Sequence, residues 1–192
     1  MGHPQLKPPE IFTLTDFLAM SWPDDARREL HEGQIVAQAA PTRAHATIVR
    51  NLAVALHRVL PRGCDVLTDI GVAPVGREHT YYEVDLLVTC EPPEARQYIM
   101  RAPTLLVEVL SRSTQAVDRN RKVPDYRRIP SVREILLIDS EHMAVELYRR
   151  FEGTRWASDI LREPDEVLYL ESAGLDITLA DLYDRVVFPD AA

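Results

Sequence analysis

The chain has 192 residues, 46% hydrophobic and 27% charged, with a formal net charge of −8. One domain's worth of sequence with this much apolar content can bury a sizeable core, which excludes disordered, collagenous and mucin-like classes. An acidic total counts against a generic DNA-coating protein. No unbroken apolar run exceeds the five residues from Leu52 to Leu56, so no helix is expected to span a bilayer. The start, MGHPQLKPPEIF, lacks the apolar stretch of a signal peptide. Cys64 and Cys90 form no CxxC pair and do not suggest a disulfide scaffold. These features point to a cytoplasmic protein without membrane contact.

Residues 1–11 are polar and contain Pro4, Pro8 and Pro9, which predicts a flexible lead-in to a single domain over 12–188. Thr13 followed by Asp16 is an acidic capping box and predicts a helix to Met20. Arg28–His31 and Gln34–Ala40 read as short strands around the Glu32-Gly33 turn. After Pro41-Thr42, the spacing of Ala44, Ile48, Leu52, Ala55, Leu56 and Val59 predicts a helix that Pro61 and Gly63 end. Strands are expected over 66–73 and 80–89, and Thr104–Leu110 is compact and apolar, as an interior strand requires. Ser113 or Thr114 caps a helix to about Arg128, and Glu134–Asp139 is another buried strand. Strands over 145–151 and 166–170, with Gly153 turning between them, and a closing helix over 179–187 complete an α/β domain with a mixed sheet flanked by helices.

Two acidic residues interrupt apolar strands: Asp85 in YYEVDLLV and Glu108 in TLLVEVL. A buried carboxylate is costly unless paired, hydrogen-bonded or bound to metal, and two brought together call for a hard divalent cation. The chain has twenty arginines and two lysines, and Lys122 is the only lysine of the folded region. Asp118, Lys122 and Tyr126 follow at helical spacing and share a face. Ser111 and Arg112 directly after the strand suit a phosphate beside a helix start, although Ser and Thr there also serve as caps. Glu32 is within possible reach of the Asp85/Glu108 pair, or is a solvated turn residue. From Arg96 to Arg133, nine basic residues face three acidic ones, a balance of +6; from Glu134 onward the balance is −9, with fourteen acids and five arginines. The middle segment could therefore receive a polyanion.

The blocks RELHEGQIV (28–36), EVDLLV (83–88), LLVEVLSRST (105–114) and VREILLID (132–139), with His45, Asp118, Lys122 and Tyr126, resemble the Uma2 family. That family belongs to the PD-(D/E)XK nuclease superfamily. The resemblance implies a restriction-endonuclease-like core with extra C-terminal strands. It also implies Mg²⁺-dependent (or Mn²⁺-dependent) hydrolysis of phosphodiester bonds in DNA. Asp85, Glu108 and the backbone carbonyl of Val109 would hold the metal, and Lys122 would replace the lysine usual at the position of Leu110. Glu32 resembles the family's N-terminal acidic residue. Val84 stands where the family usually has proline, which alters the strand entry and no ligand. Ser111, Arg112, Arg119 and Arg121 would draw in the substrate backbone, and the superfamily's double-strand cutters imply a homodimer. A non-catalytic nucleic-acid-binding module and a hydrolase of a small phosphorylated substrate are the rival classes.

Overall fold

The computed structural model describes residues 10–24, 26–112 and 114–189. Most of the expected N-terminal lead-in and the candidate cap Ser113 lie outside them. The short helix α1 (Leu14–Ala19) has its reciprocal Thr13–Asp16 capping box. Strands β1 (Arg28–His31) and β2 (Gln34–Ala37) form a hairpin, with positive φ at both turn residues, Glu32 and Gly33. A Cβ at Gly33 would collide with the Ile11 side chain, so glycine is required there twice over. Thr42 caps α2 (Arg43–Val59) by accepting the His45 N–H.

The central sheet has seven strands in the order β5-β3-β4-β6-β7-β8-β9. They are β3 (Asp65–Val72), β4 (Tyr82–Thr89), β5 (Ile99–Met100), β6 (Pro103–Leu110), β7 (Glu134–Asp139), β8 (Val145–Glu152) and β9 (Arg155–Leu161). β6 and β7 run parallel, joined by a helical crossover that packs on the sheet, whereas β4 is antiparallel to both its neighbours. α2 packs on one face over Leu86, Val88, Leu105 and Val107; the crossover packs on the other over Leu87, Leu106 and Leu137. The mixed α/β architecture is the one expected.

The crossover contains α3 (Gln115–Val117), one π-helical turn (Asp118–Lys122) and α4 (Val123–Tyr126). The regular helix predicted here is thus widened in the middle. Pro124 cannot donate to a preceding carbonyl and crowds it, and a widened turn directly before it accommodates both effects.

Three expectations need correction. Gly153 does not turn between strands 145–151 and 166–170; it closes the β8–β9 hairpin, while β10 (Val167–Leu170) pairs with β11 (Leu175–Thr178) in a separate two-stranded sheet. β9 is largely exposed, so its sequence RWASDIL carries little apolar alternation to read. The closing helix is only α5 (Leu179–Leu182), stopped before Arg185, which takes a positive φ. Cys64 and Cys90 are joined as a disulfide, with Cα atoms 3.9 Å apart. They directly flank the Asp65↔Thr89 pair of β3 and β4, so the register aligns them despite a sequence separation of 26. No helix is long and apolar enough to cross a membrane.

Candidate active site

The β4–β6 ladder stops at Leu86↔Val107, and Asp85 and Glu108 are the first residues beyond it on their strands. At this fork the Asp85 carboxylate replaces the missing backbone partner: its Oδ2 accepts the Val109 N–H at 2.8 Å. Its Oδ1 lies 3.4 Å from Arg27 and 3.3 Å from His45 Nε2, at the first turn of α2. Glu108 Oε1 accepts the Tyr126 hydroxyl and lies 3.2 Å from Lys122 Nζ. The same ammonium lies 2.8 Å from Glu29 Oε1 and 3.4 Å from Asp118 Oδ1. Asp85, Glu108, Asp118 and Lys122 all line one cavity of about 180 Å³, together with Arg27, His45, Val109 and Ser111.

Glu29 is the acid that sequence reasoning passed over. It is fully buried on β1, where Oε1 also accepts the Glu83 N–H at 3.0 Å and Oε2 meets His31 Nε2 at 2.7 Å and Gln38 Nε2 at 2.6 Å. Glu32, three residues on, sits at the exposed hairpin tip, 4.0 Å from both Arg77 and Arg121, and does not line the cavity. A two-residue turn directs its side chains to solvent, whereas the strand before it is buried from Glu29 to His31. The rule that singled out Asp85 and Glu108, an acid interrupting an apolar strand, misses Glu29 because its strand reads RELH, three of four residues polar.

Burial pushes the Glu108 carboxyl well above its usual range; Lys122 opposes this, and repulsion from Asp85, Asp118 and Glu29 adds to it. Burial also raises Asp118 despite Lys122. Asp85 goes the other way: burial would raise it, but the His45 contact, the Val109 N–H and Lys122 hold it below the usual value. Burial would lower Lys122, but Glu108, Glu29 and Asp118 hold it well above its ordinary pKa, so it stays an ammonium and is unsuited to act as a base. Four carboxylates thus face one buried lysine, with Arg27 beside Asp85.

The other predicted substrate contacts are spread around this centre. The Ser111 N–H and hydroxyl lie 3.3 and 3.2 Å from the Thr114 hydroxyl. Arg112 pairs with Glu141 at 2.6 Å, Arg119 with Glu146 at 2.7 Å, and exposed Arg121 reaches only Glu32.

Over residues 14–180 the chain matches the Uma2 family, described as "Putative restriction endonuclease". It belongs to that family. Two uncharacterized proteins of Synechocystis sp. are similar to it. One, slr1290, is 29% identical, with 96% of this chain and 95% of that protein covered. The other, sll1609, is 27% identical over 82% of this chain and 92% of that protein. Among solved structures, a protein from Anabaena variabilis described as a putative nuclease belonging to DUF820 superposes with a TM-score of 0.74. It is 21% identical and covers 92% of this chain and 99% of its own, so it shares the fold. Within this Uma2 chain, the block from Glu108 to Tyr126 that carries the resemblance is also the block that builds the buried cluster.

Proposed function

We propose that this Uma2 protein is a metal-dependent nuclease that hydrolyses phosphodiester bonds in DNA. The observation that carries the reading is the convergence of Asp85 and Glu108, from neighbouring strands, on one cavity beside a buried, permanently charged lysine. Among the described residues no group of three or more His, Cys, Asp or Glu side chains is arranged to hold an ion. A site of two carboxylates and a backbone carbonyl does not need one. The donors are all oxygens, which fits a hard cation such as Mg²⁺ or Mn²⁺, and a cation would offset both the burial and the carboxylate repulsion that raise Glu108. Asp85, Glu108 and the Val109 carbonyl would hold it. When bound, the ion would polarise the phosphate and lower the pKa of an attacking water.

The protein's own groups do the rest. Lys122, fixed by Glu29 and Asp118, presents an ammonium that can balance charge building up on the phosphoryl oxygens. Val109 and His45 hold Asp85 in one orientation. At about 180 Å³ the cavity is smaller than the pockets of about 300 Å³ or more that engulf small ligands, which favours a phosphodiester presented by a longer polymer over a small phosphorylated substrate. Cutting both strands of a duplex takes two such sites, and a homodimer is the commonest way to supply them.

Plasmid cleavage in Mg²⁺ tests the proposal. Glu108→Gln should reduce cleavage by about 100-fold or more, as loss of a charge-stabilising contact does. Lys122→Met should lose activity comparably while retaining Mg²⁺ binding by calorimetry, because its role is in the reaction and not in ligation. Equal cleavage by the parent and Glu108→Gln would end the nuclease assignment for this site.

A further inference from the structure

Most of the positive charge in the middle of the chain ends in ion pairs: Arg112 with Glu141, Arg119 with Glu146, and Arg128 with Asp125 at 3.6 Å. A different group remains at the far end of the crossover that carries Lys122. Among the described residues, Arg127, Arg133 and Arg150 have no carboxylate partner. Arg127 lies against Tyr148 and Trp156, 4.9 and 5.5 Å from the ring centroids, and its Nε is buried with no hydrogen-bond partner. Arg150 lies 4.6 Å from the centroid of the same Trp156 and gives its donors to the carbonyls of Arg127, Ile129, Val132 and Gly153. Its charge is therefore locked in place without a counterion. Arg133 is exposed, with its five donors uncommitted.

Arg133 and Arg150 line a cavity of about 350 Å³. The buried acid in that cavity, Glu134, is already satisfied by Arg149 at 2.9 Å, the N–H groups of Glu171 and Ser172, and the Ser172 hydroxyl. The second acid there, Glu171, is exposed and lies 3.9 Å from Arg149, so neither carboxylate pairs with Arg133 or Arg150. In a protein of net charge −8, an unpaired cluster of this kind is a local reversal of the field, suited to a phosphate that meets Arg's planar fork. Its position relative to the catalytic cavity is fixed by the sheet. The Arg133 N–H donates to Thr104 at 2.8 Å, and Thr104 lies on β6 four residues before Glu108, about 13 Å along the strand. Nucleotides in one strand rise by about 3.4 Å each, so that distance corresponds to about four nucleotides.

We propose that Arg133, backed by the fixed charges of Arg127 and Arg150, docks a backbone phosphate of the nucleic-acid substrate about four nucleotides from the bond presented to Asp85 and Glu108. This rests on the nuclease reading, and the test separates the two. Binding is measured by fluorescence anisotropy in Mg²⁺, in a Glu108→Gln background that does not cut, with a labelled duplex of about 20 base pairs and a labelled trinucleotide. Arg133→Glu should weaken binding of the long duplex about tenfold and reduce the slope of log affinity against log salt by about 1, as loss of one phosphate contact does. The trinucleotide, which cannot span both places, should be unaffected. Arg127→Met, which keeps the stacking volume without the charge, should act in the same direction and checks that charge and not fold is responsible. Equal affinity and slope on the long duplex would overturn the docking site even if the parent cuts DNA. An equal loss on both lengths would overturn its placement. No binding by either protein, with no cleavage by the parent, would overturn both proposals. Length-dependent loss with no cleavage by the parent would uphold the docking site and leave the nuclease reading to fail alone.

Discussion

On one face of the central sheet α2 presses Ile48, Leu52 and Leu56 onto Leu86, Val88, Leu105 and Val107, an apolar layer that continues to Leu168 and Leu182. On the other face the crossover adds Val123 and Tyr126 to an apolar layer but also buries Asp118 and Lys122 against Glu29 and Glu108. Both sets of side chains are buried. They differ in how their parts depend on one another. Apolar contacts are many, weak and replaceable, so losing one side chain leaves the rest intact. Buried charges are few and mutually compensating, so losing one leaves the others uncompensated.

The sharpest way to break this comparison is Lys122→Met. With the buried Lys122 ammonium gone, Glu29, Glu108 and Asp118 are left in low dielectric, and stability at neutral pH should fall by about 3–5 kcal/mol in urea denaturation. The loss should shrink in acid, where the carboxylates take up protons. A loss under about 1 kcal/mol at neutral pH would mean that the cluster is effectively solvated. On the opposite face, Leu52→Ala opens a cavity under α2 and should cost about 3 kcal/mol, within the usual range of such truncations. That loss should be the same at acid and neutral pH and with or without Mg²⁺. A pH-dependent Leu52→Ala effect would show that the two faces are coupled.

The smallest expected effect has the opposite sign. Glu108 has a raised folded pKa, so its contribution to stability is fully present below the ordinary carboxylate range and is lost as pH rises through the raised value. Glutamine does not titrate. In chelator, Glu108→Gln should therefore match the parent near pH 4 and become progressively more stable than it as pH rises to neutral. Added Mg²⁺ should reverse the order, because ligand binding stabilises only the protein that binds it. Thermal melts at a few pH values, with and without Mg²⁺, read both effects. A parent more stable than the variant in chelator at neutral pH would show that Lys122 and Tyr126 over-compensate the Glu108 charge.

Much of this arrangement was legible before any fold was known, and the parts that were not have specific physical reasons. Asp85 and Glu108 stood out because an acid in an apolar strand demands an explanation, and Lys122 because the chain otherwise uses arginine. The capping box of α1 and the apolar stripe of α2 were read from local chemistry, which needs only neighbours within a turn. Glu32 was named on the family resemblance and Glu29 was passed over because RELH is not an apolar strand; which acid turns inward depends on how the β1–β2 hairpin meets the sheet. The strands β9 and β11 escaped because exposed edges and small satellite sheets place few apolar residues in alternation.

By itself the sequence determined the α/β class, most of the helices and buried strands, and a short roster of residues with costly burial, since those follow from periodicity, capping and the desolvation of charge. The partners belonged to the tertiary structure. Which acid meets Lys122, where the β4–β6 ladder forks, how the π-helical turn aims Asp118 and Lys122 inward, and which arginines are left without a counterion all depend on register and packing between segments remote in the chain. Charge interactions act through space, and residues such as Glu29 and Lys122 become neighbours only when the hairpin and the crossover close on the same strand.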